Sequence, residues 1–361
     1  MKLAQNALCG YVILLSFSIF NFQFSIIMSK YFRILAIDGG GIRGMLPAII
    51  VAELEKRLRL ATGKEDSYIS DYFDLIAGTS AGGILSCVYL CNKDGGRLDA
   101  NEAVTLLEKY GPKIFQKRVF GFLIRLFDAL YPARGIHNAL RNTLGEVKLS
   151  DAQCNCAIMA YDITDRKAVI FTRDSARQEP GRDYKLRDIA RATSAAPTYF
   201  RVARAKSMTN DPSYLIDGGI FANDPTICAI IEAKKTKFSL TGKYPKISEM
   251  LVVSIGTGKV QKSYNYEKAK KWGAISWAIP VIDMLQSSSA EVVSYQVDKL
   301  FDSEDCREQY FRIVPELYDV SHQMDDASTK NIARLKEAGN KYIANNSNQL
   351  DEIVQLLLET V

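Results

Sequence analysis

Histidine is almost missing from this chain: among 361 residues only His137 and His322 occur. Chemistry that needs an imidazole base therefore has two candidates, and neither lies in a loop after a late core strand. His137 follows Gly135-Ile136 at the start of a helical pattern, and His322 sits in the polar stretch "YDVSHQMDD"; both read as incidental. Cysteine is present but unorganised. Cys9, Cys87, Cys91, Cys154, Cys156, Cys228 and Cys306 are odd in number and scattered, with no paired metal spacing, so free buried thiols are expected rather than a disulfide framework or a metal site. A dense basic stripe is also lacking. The net charge is +5 with 24% charged residues, which argues against a nucleic-acid binder. The small clusters Lys234, Lys235, Lys237 and Lys268, Lys270, Lys271 read as solvated helix faces, with an anionic membrane surface as the alternative. No internal repeat or low-complexity linker interrupts the chain, so a single main domain is expected.

Charge vanishes altogether from Ala7 to Met28, between Lys2 and Lys30. Three readings fit this stretch. It is long enough to span a bilayer, although Asn21, Gln23 and the serines weaken that reading. Ser16-Phe17-Ser18 resembles a signal-peptide cleavage site. Alternatively, Met28 is the true start. The protein is membrane-associated, secreted or cytoplasmic accordingly, and residues 1–30 are set apart from the main domain at 31–361.

What the sequence does contain is an alternation of short apolar runs with helical patterns. Arg33 to Ile37, Leu75 to Ala77, Cys156 to Tyr161, Ala168 to Thr172, Tyr214 to Ile216, Met250 to Ile255 and Tyr310 to Val314 read as strands. Met45 to Leu60, Ala81 to Cys91, Glu102 to Tyr110, Leu186 to Thr193 and Pro225 to Ala233 read as helices, and helices dominate the last third. The expected fold is α/β, a mainly parallel central sheet covered by helices on both faces.

Two glycine-rich turns each join a strand to a helix. Gly39-Gly40-Gly41-Ile42-Arg43-Gly44 fits G-x-G-x-x-G, but the polar stretch "ATGKEDSYISDYF" follows where a dinucleotide fold needs a second apolar strand ending in an acid. The nicotinamide reading fails on that context. Gly78-Thr79-Ser80-Ala81-Gly82 fits G-x-S-x-G, whose small residues allow a turn sharp enough to project Ser80 Oγ as a nucleophile. The bland alternative is a serine that caps a helix. Together the turns make one device: attack by Ser80 on an ester places charge on the carbonyl oxygen, and N–H groups of Gly39, Gly40 and Gly41, with Ala81, can receive it. Arg43 would add a fixed positive charge nearby. With histidine so scarce, the better base is Asp217 in "YLIDGGIFANDP", at a strand end before two glycines, whose alternative role is an Asx-type turn.

These residues resemble the patatin-like phospholipase family. "DGGGIRG" at 38–44 is similar to its oxyanion motif, "GTSAGG" at 78–83 to its nucleophile elbow and "DGG" at 217–219 to its dyad motif. "LGEVKLSDA", "ATSAAPTYF", "GGIFANDP" and "SIGTG" follow in the family's order. The resemblance implies Ser80 as nucleophile, Asp217 as general base, and Gly39, Gly40, Gly41 and Arg43 around the oxyanion. It also implies lipid acyl hydrolysis through an acyl-enzyme, without metal or organic cofactor, on a fold related to the cytosolic phospholipase catalytic domain. Phospholipids or related glycerolipids at a membrane surface would be the substrates; a non-catalytic lipid-binding protein is the alternative. Asp224 stands where the family more often has asparagine. Residues 118–135, "RVFGFLIRLFDALYPARG", fit either a lid or membrane-facing surface or a buried core helix.

Overall fold

The computed structural model describes residues 29–116, 128–259 and 263–360. The apolar stretch 7–28 and most of the 118–135 segment lie outside these residues. In chain order the elements are β1 (Phe32–Ile37), α1 (Met45–Thr62), β2 (Leu75–Thr79), α2 (Ala81–Tyr89), a small hairpin of β3 (Asn92–Lys93) and β4 (Gly96–Arg97), α3 (Ala100–Ile114) and α4 (Ala133–Leu144). There follow β5 (Asn155–Asp162), β6 (Lys167–Phe171), α5 (Arg173–Gln178), α6 (Leu186–Thr193), β7 (Ala203–Lys206), β8 (Pro212–Asp217) and α7 (Thr226–Ala233). The chain ends with β9 (Met250–Ile255), α8 (Tyr266–Ala269), α9 (Ala274–Ser303), β10 (Tyr310–Ile313), α10 (Thr329–Asn345) and α11 (Ser347–Leu358).

Eight strands form one sheet in the order β10-β9-β1-β2-β5-β8-β7, with β6 also paired to β5. From β10 to β5 every pairing is parallel; β6, β8 and β7 join antiparallel. The parallel centre follows from composition. β1 and β9 are apolar on both faces, as strands covered on two sides must be. Phe32 and Ile34 face one core with Met250, Val252, Ile230 and Phe301, while Leu35 and Ile37 face a larger core with Leu46, Ile50, Leu54 and Leu85. Ile34 and Leu35 are both fully buried, so truncating either to alanine would cost about 2–5 kcal/mol.

Helix α1 starts with Pro47 in its first turn and stops at Gly63, which adopts φ 66° and returns its N–H to the Arg59 carbonyl. Helix α3 is started by Asp99, whose carboxylate accepts from the Glu102 N–H. The register on the antiparallel side sets the level of two strand ends. Thr79 pairs with Met159 across β2 and β5, and Asp217 pairs with Ala160 across β5 and β8. An antiparallel strand thus brings its last residue down to the level where the parallel strand β2 ends.

Two elements leave little mark in the sequence pattern. β7 is four residues long and alternates buried Ala203 and Ala205 with exposed Arg204 and Lys206, too short and polar to read as a strand. The β3–β4 hairpin turns on Asp94 and Gly95, both at positive φ.

Candidate active site

Ser80 links β2 to α2 with φ 54° and ψ −121°, a conformation that costs a non-glycine residue on the order of 1–3 kcal/mol. Its neighbours hold it there. The Ser80 N–H donates to Thr193 Oγ1 at 2.9 Å, and that hydroxyl donates to the Met159 carbonyl at 2.6 Å. On the other side, Thr79 Oγ1 donates to the Ala222 carbonyl at 2.6 Å. Helix α2 packs so tightly beneath the turn that a Cβ on Gly82 would lie 2.1 Å from the Ile37 carbonyl oxygen. The small residues around Ser80 are therefore a packing requirement as well as a turn requirement.

Ser80 Oγ donates to Asp217 Oδ2 at 2.6 Å. The other carboxylate oxygen, Oδ1, accepts from the Gly219 N–H at 2.8 Å, which fixes the plane of the group. Asp217 is 1% exposed, and burial pushes its carboxyl up to about 7, with the hydrogen bonds from Ser80 and Gly219 working in the opposite direction. A carboxyl with that affinity can take a proton near neutral pH, which an ordinary aspartate does poorly. Neither histidine hydrogen-bonds Ser80 or Asp217 among the described residues.

The glycine loop runs beside Ser80: a Cβ on Gly39 would lie 3.1 Å from Ser80 Cβ and 2.4 Å from Asn223 Oδ1. The expectation that all three glycines offer N–H groups needs revision. Gly39 donates its N–H to the Asn223 carbonyl at 3.0 Å, so that donor is already committed. Among the described residues no acceptor meets the N–H of Gly40, Gly41 or Ala81. Gly41 adopts φ 60°, and a Cβ there would lie 2.1 Å from the Met324 carbonyl, so only glycine fits. Arg43 is buried rather than at the surface. Its Nε makes only a long 3.5 Å contact with the Gly40 carbonyl, and its Nη1 has no partner among the described residues. Burial lowers its pKa, with Asp283 and Tyr199 the opposing influences.

Behind the loop lies a group that no sequence motif singles out. Arg312 on β10 donates from Nη1 and Nη2 to the two oxygens of Asp38, at 2.8 and 2.6 Å, and from Nη1 to Ser254 Oγ at 2.8 Å. Asp224 Oδ2 lies 3.3 Å from Arg312 Nη1, while Asp224 Oδ1 accepts from the Thr226 N–H at 2.8 Å and from the Thr226 hydroxyl. Burial works against the Arg312 charge, but the Asp38 and Asp224 carboxylates outweigh it and raise its pKa. Asp38 is itself raised by burial, with Arg312 pulling it back and Asp224 pushing further. The departure at Asp224 thus has a local partner set: a hydroxyl, a main-chain N–H and a shared guanidinium.

An apolar crevice opens from Ser80 and Ala81 between Ile84, Leu107, Ile114 and Phe200. Among the described residues its free volume is about 40 Å³.

The sequence profile described as Patatin-like phospholipase matches residues 35–230, the stretch that carries both glycine turns, Ser80 and Asp217. The chain belongs to the patatin-like phospholipase family. Patatin-like protein 2 of Oryza sativa subsp. indica is 33% identical over 350 residues, covering 89% of this chain and 86% of that protein. Patatin-like protein 4 of Arabidopsis thaliana is 33% identical over 334 residues, covering 87% and 83%. A Solanum tuberosum relative, 32% identical over 326 residues and 86% of each chain, is named probable inactive patatin-3-Kuras 1. The crystal structure of VipD from Legionella pneumophila aligns with 92% of this chain and 67% of its own at 14% identity and a TM-score of 0.37, too slight a likeness to build on. Membership in the patatin-like phospholipases supports lipid acyl hydrolysis as the general class of activity. In this patatin-like chain the residues that sequence reasoning missed are Thr193, Asn223 and Arg312. Thr193 and Asn223 fall inside "ATSAAPTYF" and "GGIFANDP", stretches that resemble the family without disclosing roles.

Proposed function

We propose that the protein hydrolyses fatty acyl esters of phospholipids or related glycerolipids through a dyad of Ser80 and Asp217 and an acyl-enzyme intermediate. Asp217 accepts the Ser80 proton as Oγ attacks the ester carbonyl. The oxyanion is received by main-chain N–H groups of the Gly40–Gly41 turn and Ala81, each worth about 3 kcal/mol in the transition state. The buried Arg43 charge lies on the same turn and favours negative charge there. Collapse expels the alcohol, which takes the proton from Asp217 and leaves the acyl chain on Ser80. Water then attacks, with Asp217 again as base, and releases the fatty acid. Residues 31–361 act as one catalytic unit, a reading supported by a single sheet whose strands run from Phe32 to Ile313.

The observation that carries the proposal is the 2.6 Å hydrogen bond between a strained, buried serine and a carboxylate whose proton affinity is raised to about 7. The test is labelling of Ser80 by a fluorophosphonate probe, followed by a panel of phospholipid and glycerolipid classes. A rival reading, a lipid-binding protein without turnover, draws on the relative named as probably inactive. Absence of Ser80 labelling in folded protein would count against the hydrolase and revive that reading.

A further inference from the structure

The proposed function requires the enzyme to meet lipid at an interface, and the structure offers a face for that contact. Large exposed apolar side chains gather beside the site. Tyr266 is 74% exposed, and on α9 Trp277, Val281 and Leu285 are 37%, 40% and 47% exposed. At four-residue spacing the last three fall within an arc of about 80° on one side of a helix. Trp272 packs edge-on against Tyr264 and Trp277, with ring centroids 5.5 and 5.0 Å apart, so the aromatics form one connected ridge. Tyr264 donates to Asp283 Oδ2 at 2.8 Å, which ties the ridge to α9.

The side of α9 turned away from the ridge faces the catalytic centre. Gln286, next to Leu285, is buried, and its Nε2 would lie 3.0 Å from a Cβ on Gly219, the residue that donates to Asp217. Asp283, one turn earlier, lies within electrostatic reach of Arg43. Charge follows the same geography. Lys268 and Lys271 are exposed without an ion pair among the described residues, whereas Lys270 pairs with Glu267 at 2.5 Å. The acids near the ridge are Glu267, which pairs with Lys270, and Asp283, which accepts from Tyr264, while Glu291, Asp298 and Asp302 belong to the far half of α9. Tryptophan and tyrosine beside unpaired lysines are the chemistry of a lipid headgroup layer, where amphipathic rings sit among headgroups and ammonium groups meet phosphates.

Resting on the proposed function, we propose that the face from Tyr266 to Leu285 docks the enzyme on a lipid–water interface. Trp277, Val281 and Leu285 enter the headgroup layer, and Lys268 and Lys271 lie against its phosphates.

Both tryptophans of the chain, Trp272 and Trp277, lie on this face, so intrinsic fluorescence reads it separately from the apolar N-terminal stretch. The full chain is mixed with vesicles of phosphatidylcholine, alone or with phosphatidylglycerol, and with vesicles carrying brominated acyl chains. The expected result is a blue shift, quenching by the brominated lipid, and tighter binding with phosphatidylglycerol that weakens in salt. The double variant Val281→Asp with Leu285→Asp is expected to bind at least about tenfold more weakly. Lys268→Glu with Lys271→Glu is expected to lose the preference for phosphatidylglycerol. Both should hydrolyse a soluble short-chain ester within about twofold of the parent. Unquenched tryptophans on vesicle-bound protein, or unchanged binding by the Asp double variant, would overturn the proposal. So would a dimer in sedimentation that only the parent forms, since a second copy would then cover the ridge. Quenching that persists in a protein unable to cleave soluble esters would uphold the docking face and refute the hydrolase reading instead.

Discussion

Arg312 grips Asp38 through two parallel hydrogen bonds of 2.8 and 2.6 Å, one residue before the glycine loop that borders Ser80. The same guanidinium lies 3.3 Å from Asp224, next to Asn223, whose carbonyl takes the Gly39 N–H. A strand at one end of the sheet thereby fixes both main-chain segments that flank the serine.

Arg312→Lys keeps the charge but loses the two-pronged geometry. The expected outcome is a folded enzyme with kcat lowered by about tenfold or more and KM nearly unchanged, because the loop is misplaced while the crevice is not. Arg312→Met leaves two carboxylates buried without a counter-charge and is expected to lose about 3–5 kcal/mol of stability in denaturant unfolding. Asp224→Asn removes the surplus negative charge and should hold or raise stability by ~1 kcal/mol; a loss above ~3 kcal/mol would show that the carboxylate charge is needed.

Ser80→Ala and Asp217→Asn should each lower hydrolysis of short-chain nitrophenyl esters by about a thousandfold or more, since the proposed mechanism makes the two residues one unit. The double variant should lose little beyond either single one. Substantial turnover by the Ser80→Ala protein would remove the dyad from the mechanism.

In the proposed mechanism Asp217 serves as a base only when ionised, and its carboxyl is raised to about 7 by burial. The rate constant kcat/KM should therefore be flat above that pH and fall roughly tenfold per unit below it. An acid limb centred near the ordinary aspartate value of about 4 would show that a different or solvated group is responsible.

The same shift has the opposite consequence for folding. A carboxyl whose folded pKa exceeds its unfolded one stabilises the protein most below the unfolded value, and that contribution is lost as pH rises through about 7. Asp217→Asn carries no such charge. It is expected to be more stable than the parent at pH about 8, on the order of 2–4 kcal/mol, with the gap closing toward pH about 4. Equal unfolding midpoints at both pH values would count against a desolvated carboxylate.

How much of the molecule is legible in its sequence depends on where each signal sits. Ser80 and Asp217 announce themselves because a turn between apolar strand and helix tolerates few residue types, and histidine scarcity points to a carboxylate. The parallel centre is legible because strands buried on both faces are apolar throughout, as in β9. The antiparallel flank is less so: Asp162 to Lys167 reads as a polar turn between strands, but nothing local reveals that β8 also joins β5 in the opposite sense. Arg312 is invisible for a related reason. It stands in the run "YFRIV", whose pattern says only strand, and its partners Asp38 and Asp224 are brought to it by sheet order alone. Gly39 misleads because a glycine that admits close approach and one that lends its N–H look identical in sequence.

Pairing between β5 and β8 is confined to Ala160–Asp217, Tyr161–Ile216 and Asp162–Leu215. Neighbouring positions along a strand point to opposite sides, so whether Asp217 meets Ser80 comes down to odd and even. Extra residues in the exposed turn between β7 and β8 leave that parity alone. A single residue gained or lost between Leu215 and Asp217 would turn the carboxylate to the reverse side and part it from the serine without disturbing either one's identity.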